Sequence, residues 1–248
     1  MRMIKIALAI IVAVVFTSCQ KEFSISNPAG TTPISSNKVK TYTEDLTSGG
    51  THSVTTFDLS YDNSNRLVNM ISEANAGDKF VFNYSSGSYT GDIFNSNALS
   101  IHEVFFLNSN LFVDSTFQYN DTNDSTTEKY IYNGAKQLVT LKEYDYSLLT
   151  GSVLANTTNY KYDGNGNQIS ATDDYSVTLY DYTTLANTLV IGAPYFFVNK
   201  KLVKTTTYSF GVSTIILNHT YTFDGSNRLS TETITNGSTY PLIKTYTY

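Results

Sequence analysis

Few side chains in this sequence could do chemistry. Cys19 is the only thiol in 248 residues, so no intrachain disulfide or cysteine-based zinc site can form. The three histidines, His52, His102 and His219, lie far apart. None has the His-x-His, His-x-x-x-His or Glu-x-x-His spacing that would seat a metal. Serine is abundant, but there is no Gly-x-Ser-x-Gly elbow, and a Ser-His-Asp relay could be assembled only by arbitrary choice. Asp58, Asp92, Glu103, Glu143 and Asp145 fall in strand-like segments and read most simply as solvated strand residues. Whether two of them flank a glycosidic bond is a question of separation in space. Asp163, Asn165, Asn167 and Asp174 are spaced like the oxygens of a calcium loop, but Gln168 stands where the sharp turn requires Gly. The sequence therefore predicts no catalytic, cofactor-binding or metal residue.

The one site it does predict is at the N-terminus. Arg2 and Lys5 precede an unbroken apolar run from Ile6 to Phe16. Such a run is too short to span a bilayer as a helix but suits the apolar stretch of a signal peptide. Phe16-Thr17-Ser18-Cys19 resembles a bacterial lipobox, with Phe where Leu is more usual. The resemblance implies that residues 1–18 are a lipoprotein signal peptide and that Cys19 is acylated. Each buried methylene of an acyl chain contributes about 0.8 kcal/mol, so two or three chains make a lasting anchor. Loss of Arg2 and Lys5 lowers Lys+Arg from 16 to 14 against 21 acids, which moves the net charge from −5 to −7. Gln20 is not the Asp of inner-membrane retention. Cys19-Gln20-Lys21-Glu22 resembles part of the export tag of Bacteroidota surface lipoproteins, which implies an outer-membrane, cell-surface location. Asp114-Ser115-Thr116 and Asp124-Ser125-Thr126 resemble Bacteroidota O-glycosylation acceptors, which would place sugar on Ser115 or Ser125.

These residues must be positioned by strands. Residues 23–38 hold two of the four prolines among Ser, Thr, Asn and Gly, so 19–38 read as an acylated flexible tether. From 39 to 248 apolar and polar residues alternate with period two, broken every 8–12 residues by Gly, Asn and Ser. Thr55, Phe57, Leu59 and Tyr61 share one face. Leu111, Val113, Phe117 and Tyr119 share another, as do Leu154, Tyr160 and Tyr162, and Ile215, Leu217, Tyr221 and Phe223. At the C-terminus Tyr240, Leu242, Tyr246 and Tyr248 alternate, with Lys244 interrupting what would be an outward series.

The turns repeat. Tyr61-Asp62-Asn63-Ser64-Asn65-Arg66-Leu67 recurs as Phe223-Asp224-Gly225-Ser226-Asn227-Arg228-Leu229, with weaker copies at 132–138 and 162–169. In each the aromatic ends a strand, Asn or Gly takes the positive φ of the turn, Arg or Gln sits exposed, and Leu opens the return strand. The anchors are 71, 30 and 61 residues apart. The pattern resembles the YD repeat of RHS-type proteins. With the lipobox, the chain resembles Bacteroidota YD-repeat-type (RHS-like) outer-membrane lipoproteins, which implies a porin-like β fold and a scaffold rather than a reaction.

Composition agrees with this class. There are 20 Tyr and 14 Phe but no Trp, and charged residues make up only 15%. The expected fold is all-β: a single antiparallel β-meander of about 12–16 strands over 39–248, curled into a barrel-like shell. Dispersed basic residues and net negative charge argue against a nucleic-acid partner. Three functions stay open. The first is a non-catalytic, lipid-anchored binding or structural module with a glycan or surface-protein partner, although the lack of Trp removes the best sugar-stacking platform. The second is an outer-membrane β-barrel, and the third a hydrolase acting on glycans.

Overall fold

The computed structural model describes residues 38–48, 51–119, 125–147, 151–189, 199–237 and 241–248. Its elements are all strands: β1 (Thr41–Ser48), β2 (Thr51–Tyr61), β3 (Leu67–Ser72), β4 (Lys79–Ser85), β5 (Ser88–Asn95), β6 (Ala98–Leu107), β7 (Val113–Tyr119) and β8 (Ser125–Tyr132). They continue as β9 (Leu138–Ser147), β10 (Gly151–Tyr162), β11 (Gln168–Thr172), β12 (Ser176–Ala186), β13 (Lys201–Phe210), β14 (Ser213–Phe223), β15 (Leu229–Thr235) and β16 (Leu242–Thr247). Each strand pairs with the next, and β16 returns to β1 through Thr41–Leu46 against Thr247–Leu242. The meander is therefore a closed barrel of sixteen strands, and closure leaves no unpaired edge.

Period-two alternation sets the two surfaces. On β2 the aromatic and leucine positions face the core, with Leu59 buried and Phe57 and Tyr61 packed against it. Their cross-strand partners continue the inward set: Tyr42 opposite Phe57, and Met70 opposite Leu59. Two expectations fail because a bulge shifts the parity. On β7 the bulge opposite Phe106 and Leu107 turns Thr116 inward, while Phe117 and Tyr119 lie half-exposed on the outer wall. On β10 a bulge between Leu154 and Asn156 sends Leu154 outward while Tyr160 stays inside.

The hairpins leading from even to odd strands gather at one end. Five share a single turn, in which an Asp or Asn Oδ1 accepts the backbone N–H groups two and four residues on. They are built on Asp62, Asn108, Asn133, Asp163 and Asp224. The residue three positions on has positive φ: Asn65 at 67°, Leu111 at 64°, Lys136 at 63°, Gly166 at 87° and Asn227 at 60°. Only the Asn108 turn escapes the sequence pattern, because Leu107 replaces the aromatic and Leu111 adopts a φ that Leu rarely takes. The repeat spacing also resolves here. The interval of 30 residues between anchors holds one hairpin pair of strands, whereas that of 71 holds three shorter ones.

A belt of tyrosines rims the same end. Tyr61, Tyr84, Tyr132, Tyr162, Tyr221 and Tyr248 donate their hydroxyls to the carbonyls of Val39, Leu67, Val113, Leu138, Val203 and Leu229 at 2.7–2.9 Å. Tyr182 does the same to Gln168. Each ring bridges from one strand end to the start of a neighbouring strand. Arg66 and Arg228, expected to be exposed, are half-buried instead. Each pairs with its turn aspartate and stacks over the next belt ring, Tyr84 at 4.2 Å and Tyr248 at 4.3 Å.

Candidate functional site: the barrel lumen

Inward positions become more exposed away from the tyrosine belt. On β1 the series runs from buried Tyr42 and Glu44 to Leu46 at 39% exposure, and on β14 from half-buried Tyr221 to Ile215 at 41%. The belt end is packed shut by Val39, Leu67, Val113, Leu202 and Leu229, joined by Leu189 from the chain after β12. Thr188 Oγ1 accepts the Leu229 N–H at 3.3 Å, so this segment reaches β15 at the belt end. Among the described residues, inward side chains are least covered toward the end of the odd-to-even turns, the more open end. Further in, Tyr89 stacks on Phe105 at 4.2 Å, and Gly91 lets both Phe105 and Phe82 approach its backbone.

Two polar groups sit among these rings. The first spans β13 to β1. Glu232 faces Lys244 and Lys244 faces Glu44 in register. Lys244 Nζ lies 3.6 Å from Glu232 Oε2, and His219 Nδ1 lies 2.9 Å from Oε1. Tyr221 reaches the same Oε1 at 3.3 Å, His219 Nε2 meets Thr206 Oγ1 at 3.0 Å, and Tyr42 donates to Glu44. Burial alone would raise the Glu232 carboxyl, but Lys244, His219 and the Tyr221 hydroxyl outweigh it and hold it below the usual carboxylate range. His219 bridges Glu232 and Thr206 through its two ring nitrogens.

Thr206, His219 and Glu232 thus stand in the order of an acyl-transfer relay. The surroundings suit charge storage better. Thr206 is paired in register with Tyr180 on one side and Leu217 on the other, so its backbone belongs to the ladder and offers no N–H to an oxyanion. It is also buried, and Lys244 is wholly so.

The second group lies across the lumen on β6 to β9. Glu128 faces Glu143 in register, and its Oε2 accepts from Tyr130 and, at 3.3 Å, from Thr116. Among the described residues Glu103, Glu128 and Glu143 form no ion pair. Burial, and then the charge of Glu128, push the Glu103 carboxyl up to about 7, against the pull of a Thr116 hydrogen bond. Burial also raises Glu143, helped by Glu128 and Asp145. The reading of Glu103 and Glu143 as solvated strand residues is therefore corrected: both face the lumen. Asp58 and Asp92 keep the outer wall.

Other predicted positions separate. His219 joins the first polar group, His52 pairs with Asp45 near the open end, and His102 pairs with Asp92 on the outer wall. The calcium-like spacing dissolves, because Asp163 holds its own turn at the belt end while Asp174 lies beyond β11, in the turn at the other end. Among the described residues no three metal-ligating side chains converge. Ser115 is half-buried on the outer wall and Ser125 is buried there between Tyr119 and Tyr146, its register partners. Cys19, with the signal and nearly all of the tether, lies outside the described residues, as does Tyr240. Sequence reasoning missed Glu44, Glu128, Thr206 and Glu232, and placed Lys244 on the wrong face. The available signal was a single charge inside an aromatic series, which marks a buried pair as readily as an interrupted outer face.

No family model and no curated protein matches the sequence. Solved structures do. A porin-like protein from Bacteroides uniformis aligns with a TM-score of 0.62 at 12% identity, covering 88% of this chain and 98% of that one. A porin-like protein from Bacteroides vulgatus aligns with a TM-score of 0.58 at 14% identity, covering 85% and 98%. The porin-like β fold implied by the sequence is the fold of this chain.

Proposed function

We propose that this chain is a non-catalytic β-barrel protein of the outer membrane. The porin-like neighbours support an outer-membrane β-barrel, the alternative left open by the sequence, and the lipid anchor is carried into this proposal from the first reading. How the barrel meets the membrane follows from its wall. Outward positions on β13 to β2 are mostly Thr with Ser, Asn, Asp and Lys, and a rank of threonines, Thr222, Thr231, Thr245, Thr43 and Thr56, crosses five adjacent strands. The aromatic and leucine positions mostly point inward. A spanning barrel needs the reverse, an apolar band facing lipid. This inversion on β13 to β2 carries the proposal: the barrel does not span the bilayer, acylated Cys19 supplies the anchor, and the lumen serves as a cup rather than a through-channel. A glycan or surface protein would reach it from the open end.

The second reading is a barrel that spans the bilayer, favoured by the porin-like description of its neighbours. One preparation separates the two. Residues 19–248 carrying Cys19→Ser should stay monodisperse and folded in detergent-free buffer, whereas dependence on detergent would establish the spanning barrel. Labelled palmitate should enter the full chain in cells and not the Cys19→Ser variant.

A further inference from the structure

The outer wall is not uniform. On β6 to β10 the paired outward positions carry Val104, Phe106, Phe117, Tyr119, Ile131, Tyr144, Tyr146 and Leu154. Six of these are large side chains at 40–50% exposure: Phe106, Phe117, Tyr119, Ile131, Tyr146 and Leu154. Val104, Phe117, Thr127, Tyr144 and Leu154 follow one another across the five strands in a single row. A contiguous apolar patch of this kind marks a contact surface.

Its charge is as distinctive. In a protein of net charge −5, the paired outward positions of these five strands include no acid. They carry Lys129 and Lys142 directly opposite one another, and Lys161 beyond. Asp114 lies only at the β7 bulge, at the belt end, and His102 already has Asp92. Two lysines face to face repel unless an anion lies over both. Lys129 also sits 5.9 Å over the Tyr144 ring, so cation and aromatic form one surface.

We infer that this wall docks on the surface of an anionic phospholipid bilayer. Phe117, Tyr119, Tyr144 and Tyr146 enter the headgroup region, and Lys129 and Lys142 meet lipid phosphates. Amphipathic aromatic rings settle at that depth, and each surface lysine adds about 1 kcal/mol on an anionic leaflet. The inference rests on the reading that the barrel does not span the bilayer. The chain between Cys19 and Lys38 extends to at most roughly 60 Å, enough to let the wall turn onto the bilayer that holds the anchor.

The test uses residues 19–248 carrying Cys19→Ser, so that no acyl chain contributes. The protein is sedimented with vesicles of phosphatidylcholine alone or phosphatidylcholine containing phosphatidylglycerol. Binding is expected only with phosphatidylglycerol and should weaken as salt rises. Lys129→Gln with Lys142→Gln should reduce the partition coefficient about thirtyfold, whereas Lys79→Gln on another wall should leave it unchanged. Phe117→Ser should weaken binding without altering its salt dependence, with circular dichroism confirming that each variant is folded. Absence of binding to anionic vesicles, or equal binding by the double lysine variant, overturns the inference. So does self-association abolished by Phe117→Ser, which would make the wall a protein interface. Insolubility without detergent would instead overturn the reading of the wall beneath it, an outcome distinct from a soluble protein that ignores vesicles.

Discussion

Glu232 and Glu103 are the same residue type on inward positions of the same barrel, and their carboxyls are driven in opposite directions. Glu232 has Lys244, His219 and Tyr221 around it and is held below the usual carboxylate range despite burial. Glu103 has burial and Glu128 against it and rises to about 7. Low dielectric amplifies whichever neighbours a carboxylate has: beside a cation the charge is kept, and beside another acid it is suppressed. One side of the lumen is therefore a closed charge network, and the other holds two acids, Glu103 and Glu143, that ionise reluctantly.

The largest effect should come from breaking the compensated side. Lys244→Ala leaves Glu232 buried without its cation and should cost about 3–5 kcal/mol in urea unfolding. Replacing the pair together, Lys244→Met with Glu232→Leu, should recover most of that loss. If the double variant is as unstable as the single, the pair is not what stabilises this tier.

Glu103→Gln should act in the opposite sense. Because the folded carboxyl titrates near 7 and the unfolded one near 4.5, the folded state holds the extra proton between those values. Wild-type stability should then fall as pH rises through this window. The variant should gain about 3 kcal/mol at pH 8 and nothing below pH 4.5, measured as the difference between two stability-against-pH curves. A parallel pair of curves would refute the contrast with Glu232.

Smaller effects belong to the belt end, where the same chemistry works close to solvent. Asp62→Ala removes the acceptor of two backbone N–H groups and the partner of Arg66, and should cost about 1–2 kcal/mol. Its carboxyl is held low: burial opposes, but the Arg66 backbone and side chain and the Ser64 N–H prevail. This contribution should be present at neutral pH and lost as pH falls below the usual aspartate range. Tyr162→Phe deletes one belt hydrogen bond and should cost about 1 kcal/mol by thermal unfolding. Asp181→Asn, which breaks an exposed pair with Lys204 at 3.8 Å, should change stability by less than about 0.5 kcal/mol.

Much of the fold was legible because the period of the pattern is local. Thr55, Phe57, Leu59 and Tyr61 alternate, and Asp62 to Arg66 carry their own turn, so strands and hairpins could be read without a partner in view. The errors lie where parity depends on a neighbour. Alternation alone puts Val113 on one face with Phe117 and Tyr119, and Leu154 on one face with Tyr160, but bulges on β7 and β10 separate them. The lumen network was least legible: its members come from β13, β14, β15, β16 and β1, and β16 meets β1 only by closing the whole ring.

The sequence by itself determined the strands, the recurrent Asp and Asn turns and the all-β meander, because alternation and turn chemistry act over a few residues. Only the tertiary structure decided that sixteen strands close, and that closure brings Glu44 at one end of the chain against Lys244 at the other. It also decided which acids share the lumen with a cation and which do not. Charge pairing depends on distance in space, and in a closed barrel that distance is set by register around the ring rather than by separation along the chain.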